Sequence, residues 1–319
     1  MKKQIINITI SSLLAFIILN AFCFFYYNVP IHSKSVDGAS DYVWEKNKYY
    51  CSATEGISWG KTNNEGYFNI SDYEGDVDIL VMGSSHLQGL SVKQEDNVST
   101  ILANLTNKNV YNIAIAGHNF KVCTANLDNA LNKYKPDIVV IETNRIIFSL
   151  EEIEKTISGQ LSEISSSDNK IVNFLQKSDF LRLTYSQLEN FINNSKDSSS
   201  SSKNSFNAEN TNRILKYISD IANKYNTKVI ILYNPTVSLN EDGALLANSD
   251  IDVSNSFKNL CYENNLSLID MSNRYQEEYK KDYTVPSGFI NTAVASGHIN
   301  KHGHRMIAEE LDKVIKEIK

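Results

Sequence analysis

Four residues in this sequence, each at the end of an apolar run or just ahead of a helix, could together do chemistry. Ser85 follows Ile79-Leu80-Val81-Met82-Gly83-Ser84, Gly117 closes Asn112-Ile113-Ala114-Ile115-Ala116, Asn144 follows Ile141-Glu142-Thr143, and His298 sits in Ser296-Gly297-His298-Ile299-Asn300. Acyl transfer needs such a set. A serine hydroxyl is a weak nucleophile until a base removes its proton. The oxyanion of the tetrahedral intermediate needs donors fixed in place, each worth about 3–4 kcal/mol. Ser85 is the candidate nucleophile and His298 the base. The N–H groups of Ser85 and Gly117 and the side-chain amide of Asn144 are the candidate oxyanion donors.

Taken alone, Gly83-Ser84-Ser85 also reads as a strand-to-helix turn with a capping serine. The surrounding elements weigh against that plainer reading. From Asp78 onward, short apolar runs alternate with amphipathic stretches: Ile79 to Met82, Val110 to Ala116, Asp137 to Thr143, Val229 to Tyr233 and Leu266 to Asp270 are strand-like. Between them, Val98, Ile101, Leu102 and Leu105 share one helical face, Cys123, Leu127, Ala130, Leu131 and Tyr134 a second, and Ile214, Ile218, Ile221, Ala222 and Tyr225 a third. Met306, Ile307, Leu311, Val314, Ile315 and Ile318 mark a terminal helix. Continuous apolar strands separated by amphipathic helices predict a parallel sheet covered on both faces. The expectation is a three-layer, flavodoxin-like α/β sandwich with a five-stranded parallel sheet, whose strand ends converge on one crevice. The alternation breaks at about 146–206, read as a helical insertion carrying the Ser-rich run from Asp197 to Lys203, which is too polar to bury anything.

The order and context of the four blocks resemble those of the SGNH (GDSL-type) hydrolases. The matching residues are Gly83-Ser84-Ser85 with Gly89, then Gly117, then Asn144, then Gly297-His298-x-Asn300 with Gly303 and His304. The resemblance covers about 78–319 outside the insertion and implies a serine esterase or O-acyltransferase. Three departures stand out. Ser84 occupies the place of a usual Asp, Glu142 and Arg145 replace a usual Gly and Asp around Asn144, and Ala295 and Ser296 stand where the family's acid precedes its histidine. An imidazole without an acid is a poorer base, because the acid fixes its tautomer and stabilises imidazolium. The sequence therefore leaves three routes open: an orienting group borrowed from Glu142, Asp270 or Ser296, a bare Ser85–His298 dyad, or a catalytically inactive binding or scaffold protein.

Lys2 and Lys3 precede a mostly apolar run from Ile5 to Tyr27, long enough to span a bilayer as a helix. It is read as an uncleaved anchor, because no small-residue cleavage site follows it. With the lysines inside, the rest of the chain lies outside the cell membrane. The expected organisation is an anchor over 1–27, an irregular aromatic arm over 28–76 and a catalytic domain over 77–319. A net charge of −6 excludes nucleic acid as the main partner. The expected substrate is an O-acylated, first of all acetylated, envelope or secreted polysaccharide, with a multipass membrane acyltransferase as a candidate partner. No cofactor or metal is expected. His298 and His302 have i,i+4 spacing, and His86, His118 and His304 complete a possible ligand set, but Gly297 and Gly303 oppose a regular helix there and no acidic ligands accompany them. Cys123 and Cys261 read as buried thiols rather than a disulfide framework.

Overall fold

The computed structural model describes residues 2–35, 40, 42–159, 178–185, 205–247 and 251–318. The first element, α1 (Lys2–Tyr26), is an apolar helix of 25 residues with almost every side chain exposed. At 1.5 Å per residue it is about 37 Å long, enough to cross a bilayer.

The arm that follows builds small antiparallel sheets instead of the irregular segment expected from its lack of period. β1 (Tyr27–Asn28) pairs with β4 (Tyr49–Ser52), which pairs with β5 (Ser58–Lys61), while β2 (His32–Lys34) pairs with β3 (Tyr42–Trp44). Strands this short carry too few residues to show an alternation. Val29, Trp44, Tyr50 and Phe68 form the arm's own apolar cluster, against which Leu90 and Ala116 of the main body pack. Two polar contacts fasten it further. The Asn69 side chain exchanges both hydrogen bonds with the backbone of Asn112 at the sheet edge (2.9 and 3.0 Å), blunting an otherwise open strand. Glu65 accepts from Tyr134 Oη at 2.8 Å and from Lys133 Nζ at 2.6 Å.

The main body follows the expected alternation. β6 (Ile79–Met82) leads through α2 (Ser85–Gln88) and α3 (Val98–Thr106) to β7 (Val110–Asn112), and α4 (Phe120–Ala125) and α5 (Leu127–Tyr134) lead to β8 (Ile138–Thr143). The single apolar stripe expected from Cys123 to Tyr134 is thus two helices, broken at Asn126. After α6 (Leu150–Ile157) and α7 (Ala208–Tyr225) come β9 (Lys228–Tyr233), the hairpin β10 (Val237–Leu239) and β11 (Leu245–Ala247), α8 (Ile251–Glu263), β12 (Ser267–Asp270), α9 (Met271–Asp282) and α10 (Lys301–Glu317). Residues 160–177 and 186–204, which hold Leu161, Ile164, Leu188, Ile192 and the Ser-rich run, lie outside the described residues. The described part of the insertion is helical over 179–185, and Arg182 donates there to Val29 O at 2.6 Å.

The five main strands are all parallel, in the order β12-β9-β8-β6-β7. Numbered among themselves that is 2-1-3-4-5, the flavodoxin-like order, with its switch point at β6. Alternate residues feed two cores. Leu80, Met82, Val139 and Ile141 face α4 to α8, whereas Ile79, Val81, Ile138 and Val140 face α3, α9 and α10. Each such aliphatic side chain, fully buried, contributes roughly 1.5–3 kcal/mol. Cys123 and Cys261 are buried and form no disulfide among the described residues.

His304, of the terminal helix, is a structural member of the second core's surroundings. Its Nδ1 accepts from the Val98 N–H at 3.2 Å, and burial pushes its imidazole down to about 3. The folded chain refuses a proton that the unfolded chain takes up near pH 6.5. Stability is therefore lost as pH falls from about 6.5 toward 3, at about 1.4 kcal/mol per pH unit. His304→Asn keeps an acceptor for Val98 but removes the titration. Its urea midpoint is expected to be lower at pH 7 yet to fall less between pH 7 and 5, the two proteins' losses of folding free energy over that interval differing by about 2 kcal/mol. Parallel declines in the two proteins would disprove this.

Candidate active site

Ser85 is the first residue of a single-turn helix set on the end of β6. Ser84 caps it, its Oγ accepting from the His86 N–H at 3.3 Å, and Gly89 ends it in the left-handed region. Such a short helix gains little from its own hydrogen bonds, and buried asparagines hold it. Asn97 Nδ2 donates to Gln88 O at 2.9 Å, and Asn112 Nδ2 to Leu87 O at 2.8 Å. The Gln88 side chain accepts from the Ala116 N–H, tying the nucleophile helix to the loop that presents Gly117.

Gly117 has φ +88°, a conformation costly for any residue with a Cβ. Tyr42 of the arm donates to Ala116 O just before it. Asn144 lies just past β8, exposed, with no side-chain hydrogen bond among the described residues. The Ser85 N–H belongs to the unpaired first turn of α2, where backbone donors have no intrahelical partner. All three candidate donors thus sit beyond the C-terminal ends of β6, β7 and β8, around the switch point.

Glu142 is not the acid that the sequence left open. Only 3% exposed, its carboxylate accepts from both the N–H and the Oγ of Ser84 at 2.8 Å through Oε2, and from Asn234 Nδ2 at 2.8 Å through Oε1. Tyr275 Oη completes the network by donating to Asn234 Oδ1 at 2.8 Å. Glu142 therefore fastens the ends of β6, β8 and β9 together. Asp270 is spent as well: it caps α9 by accepting from the Ser272 N–H at 2.9 Å, and it also accepts from Ser254 Oγ. Ser296 is exposed and makes no side-chain hydrogen bond among the described residues.

The carboxylate on His298 comes from the arm. Glu55, in the loop between β4 and β5, accepts from the His298 backbone N–H at 2.6 Å through Oε1, and its Oε2 meets the ring Nδ1. An ionised carboxylate can only accept, so the Nδ1 carries the proton and Nε2 is left with its lone pair. Burial pushes the Glu55 carboxyl up, but the hydrogen bonds from the His298 ring and backbone outweigh it and hold it below the ordinary carboxylate value. Gly297 makes the approach possible: at φ +77°, a Cβ there would overlap Glu55 Oε1. The Glu55 loop is clamped by Asn291, whose Nδ2 donates to Ala53 O and whose Oδ1 accepts from the Gly56 N–H, both at 2.9 Å. The His298 loop is held by Asn300, which caps α10 and donates to Val285 O and Gly288 O at 3.0 Å.

His86 lies beside this pair, its ring centroid 5.3 Å from that of His298. Burial pushes its imidazole down, so it is neutral near pH 7 and adds no charge to oppose an imidazolium at His298. No hydrogen bond joins Ser85 Oγ to His298 among the described residues. Catalytic hydrogen bonds in unliganded sites are often long and tighten when substrate binds.

No family model matches this chain, and no curated protein matches its sequence. Solved structures are similar at the level of the fold. One, TesA, is 13% identical, with a TM-score of 0.42 over 76% of this chain and 99% of its own. An acetyl xylan esterase, AlAXEase, is 15% identical, with a TM-score of 0.42 over 74% and 99%. The psychrotrophic esterase EstA of Pseudoalteromonas sp. is 15% identical, with a TM-score of 0.40 over 76% and 98%. The five-stranded parallel α/β fold expected from the sequence is the one present.

Proposed function

We propose that this protein is a serine ester hydrolase or O-acyltransferase in which Ser85, His298 and Glu55 act as a triad. The observation that carries the reading is the Glu55 carboxylate bound to both the backbone N–H and the ring Nδ1 of His298. With Nδ1 protonated, Nε2 takes the proton as Ser85 Oγ attacks the substrate carbonyl, and Glu55 stabilises the imidazolium formed. The oxyanion is received by the N–H groups of Ser85 and Gly117 and the Asn144 amide. His298 then returns its proton to the leaving alcohol, giving an acyl-serine. Water or a sugar hydroxyl, deprotonated by the same Nε2, resolves the acyl-serine, so hydrolysis and transfer use one constellation.

Reading α1 as an anchor, with Lys2 and Lys3 inside, puts the site outside the cell membrane. The substrate class is then an O-acylated envelope or secreted polysaccharide, with a multipass membrane acyltransferase as the candidate partner. The test is labelling of the full-length protein by a serine-directed fluorophosphonate. Labelling at Ser85 that vanishes in Ser85→Ala is expected. A chain that takes up no label at any pH would be the inactive scaffold instead.

Asn291 touches no reacting atom and acts through Glu55. Asn291→Ala is expected to lower kcat about 10-fold with KM unchanged, since two hydrogen bonds that aim the acid are lost. Asn291→Asp keeps the acceptor for Gly56 and loses the donor to Ala53, so its kcat should fall between the two. A change confined to KM would show that Asn291 binds substrate instead.

A further inference from the structure

The loop that carries Glu55 is also stapled to the end of α1. The Ala53 N–H donates to Tyr26 O at 2.8 Å, Cys51 Sγ donates to Phe25 O at 2.9 Å, and β1 continues directly from the helix into its pairing with β4. On the other side of Ala53, Asn291 is bound to its carbonyl, and the neighbouring Ile290 is 99% exposed. Two hydrogen bonds thus lead from the last residue of the apolar helix to the rim of the catalytic cleft.

The outer face of the arm at this place is apolar and aromatic. Residues 57–61 alternate: Ser58 is buried, whereas Ile57 (62% exposed), Trp59 (55% exposed) and Lys61 point outward. Trp59 is paired with Cys51, and residues directly opposite in an antiparallel pair share a face. Trp59 therefore lies on the side of the sheet that meets Phe25. Lys93 Nζ sits 5.1 Å from the Trp59 ring, and Lys61 Nζ 5.9 Å from the ring of the exposed Tyr49. Single exposed apolar residues are ordinary, but a row of them continuous with the end of a membrane-length helix is not. Trp and Tyr beside lysines is the composition of a membrane–water interface, where the ring sits among headgroups and the amine meets lipid phosphate.

We propose that Ile57, Trp59 and Ile290 rest on the lipid surface from which α1 emerges, so that the catalytic cleft opens onto the headgroup layer. The proposal rests on the reading of α1 as an anchor. If the catalytic reading also holds, the O-acylated polysaccharide meets Ser85 where the polymer lies against the bilayer surface.

The test uses the full chain with Cys51→Ser, reconstituted in phosphatidylcholine–phosphatidylglycerol vesicles. A small fluorophore is placed on Ile57→Cys, Ile290→Cys or, as a control, Tyr262→Cys, an exposed position near the C-terminal end of α8. That end of α8 lies beside the start of β12, across the sheet from the catalytic loops. Quenching by lipids spin-labelled near the headgroup is expected to be at least twofold stronger at 57 and 290 than at 262. Equal quenching at the three positions overturns the proposal. A protein that hydrolyses no ester would refute the catalytic reading while leaving this contrast, so the two failures are told apart.

Discussion

Exchanging Glu55 for glutamine is expected to lower kcat/KM for a simple ester by about 10³–10⁴-fold, the scale set by loss of a triad carboxylate. Glutamine keeps an acceptor for the His298 backbone N–H, but it removes the charge that balances imidazolium and lets its amide hydrogens select the wrong tautomer of the ring. Glu55→Asp shortens the reach and should sit between the two. Glu55 is held ionised by the hydrogen bonds that His298 donates, against the upward push of burial. A carboxyl lowered by folding adds stability that is present above its unfolded value and lost as pH falls through the folded one. Glu55 therefore stays charged above the ordinary carboxylate range, and the variant's loss of activity should persist throughout that range. Gly297→Ala should match it in size, because the new methyl overlaps Glu55 Oε1 in a backbone conformation that already disfavours a side chain. A Glu55→Gln protein with at least a tenth of the parent's kcat/KM would mean that His298 needs no acid, and the dyad would replace the triad.

The parts of this arrangement that were legible in the sequence are those encoded over short distances. The apolar run Ile79–Met82, the amphipathic spacing from Ile214 to Tyr225 and the small residues at strand ends each report on their own neighbourhood. Parallel strands with right-handed crossovers then bring Ser85, Gly117 and Asn144 to one edge with few alternatives. Glu55 was not legible for the opposite reason. It stands 243 residues from the histidine it serves, in an arm whose strands are too short to show a period, and nothing about Thr54-Glu55-Gly56 marks it among 37 acidic residues. The usable signal was negative. Ala295 and Ser296 in the acid's place left a carboxylate from elsewhere, a bare dyad or an inactive protein open, and Glu142 and Asp270 were the carboxylates considered. Both are consumed by backbone and side-chain donors next to them, a fact that only the packed structure exposes. Gly297 carried a second clue, since a glycine directly before the base leaves space on the side from which an acid can come.

Ser85→Ala is expected to have the largest effect of any single exchange, lowering kcat by about 10⁶-fold, and adding Glu55→Gln to it should cost almost nothing more. Residues that act as one unit are non-additive: with the nucleophile gone, the base has no proton to take and the acid no imidazolium to stabilise. The residual rate of both proteins should then equal that supplied by binding and the oxyanion donors, about 10³-fold over the uncatalysed reaction. The exchange itself should be nearly silent in stability. Ser85 is half-buried, makes no side-chain hydrogen bond among the described residues, and alanine suits the first turn of a helix whose cap is Ser84. That separates it from Glu142→Ala, which would leave Ser84 and Asn234 without their acceptor and should cost about 1–3 kcal/mol of folding free energy for each donor left unsatisfied. Loss of activity in Ser85→Ala with the unfolding midpoint unchanged is the signature of a nucleophile. If Ser85→Ala/Glu55→Gln instead fell a further thousandfold below Ser85→Ala, Glu55 would be acting on something other than the serine's proton.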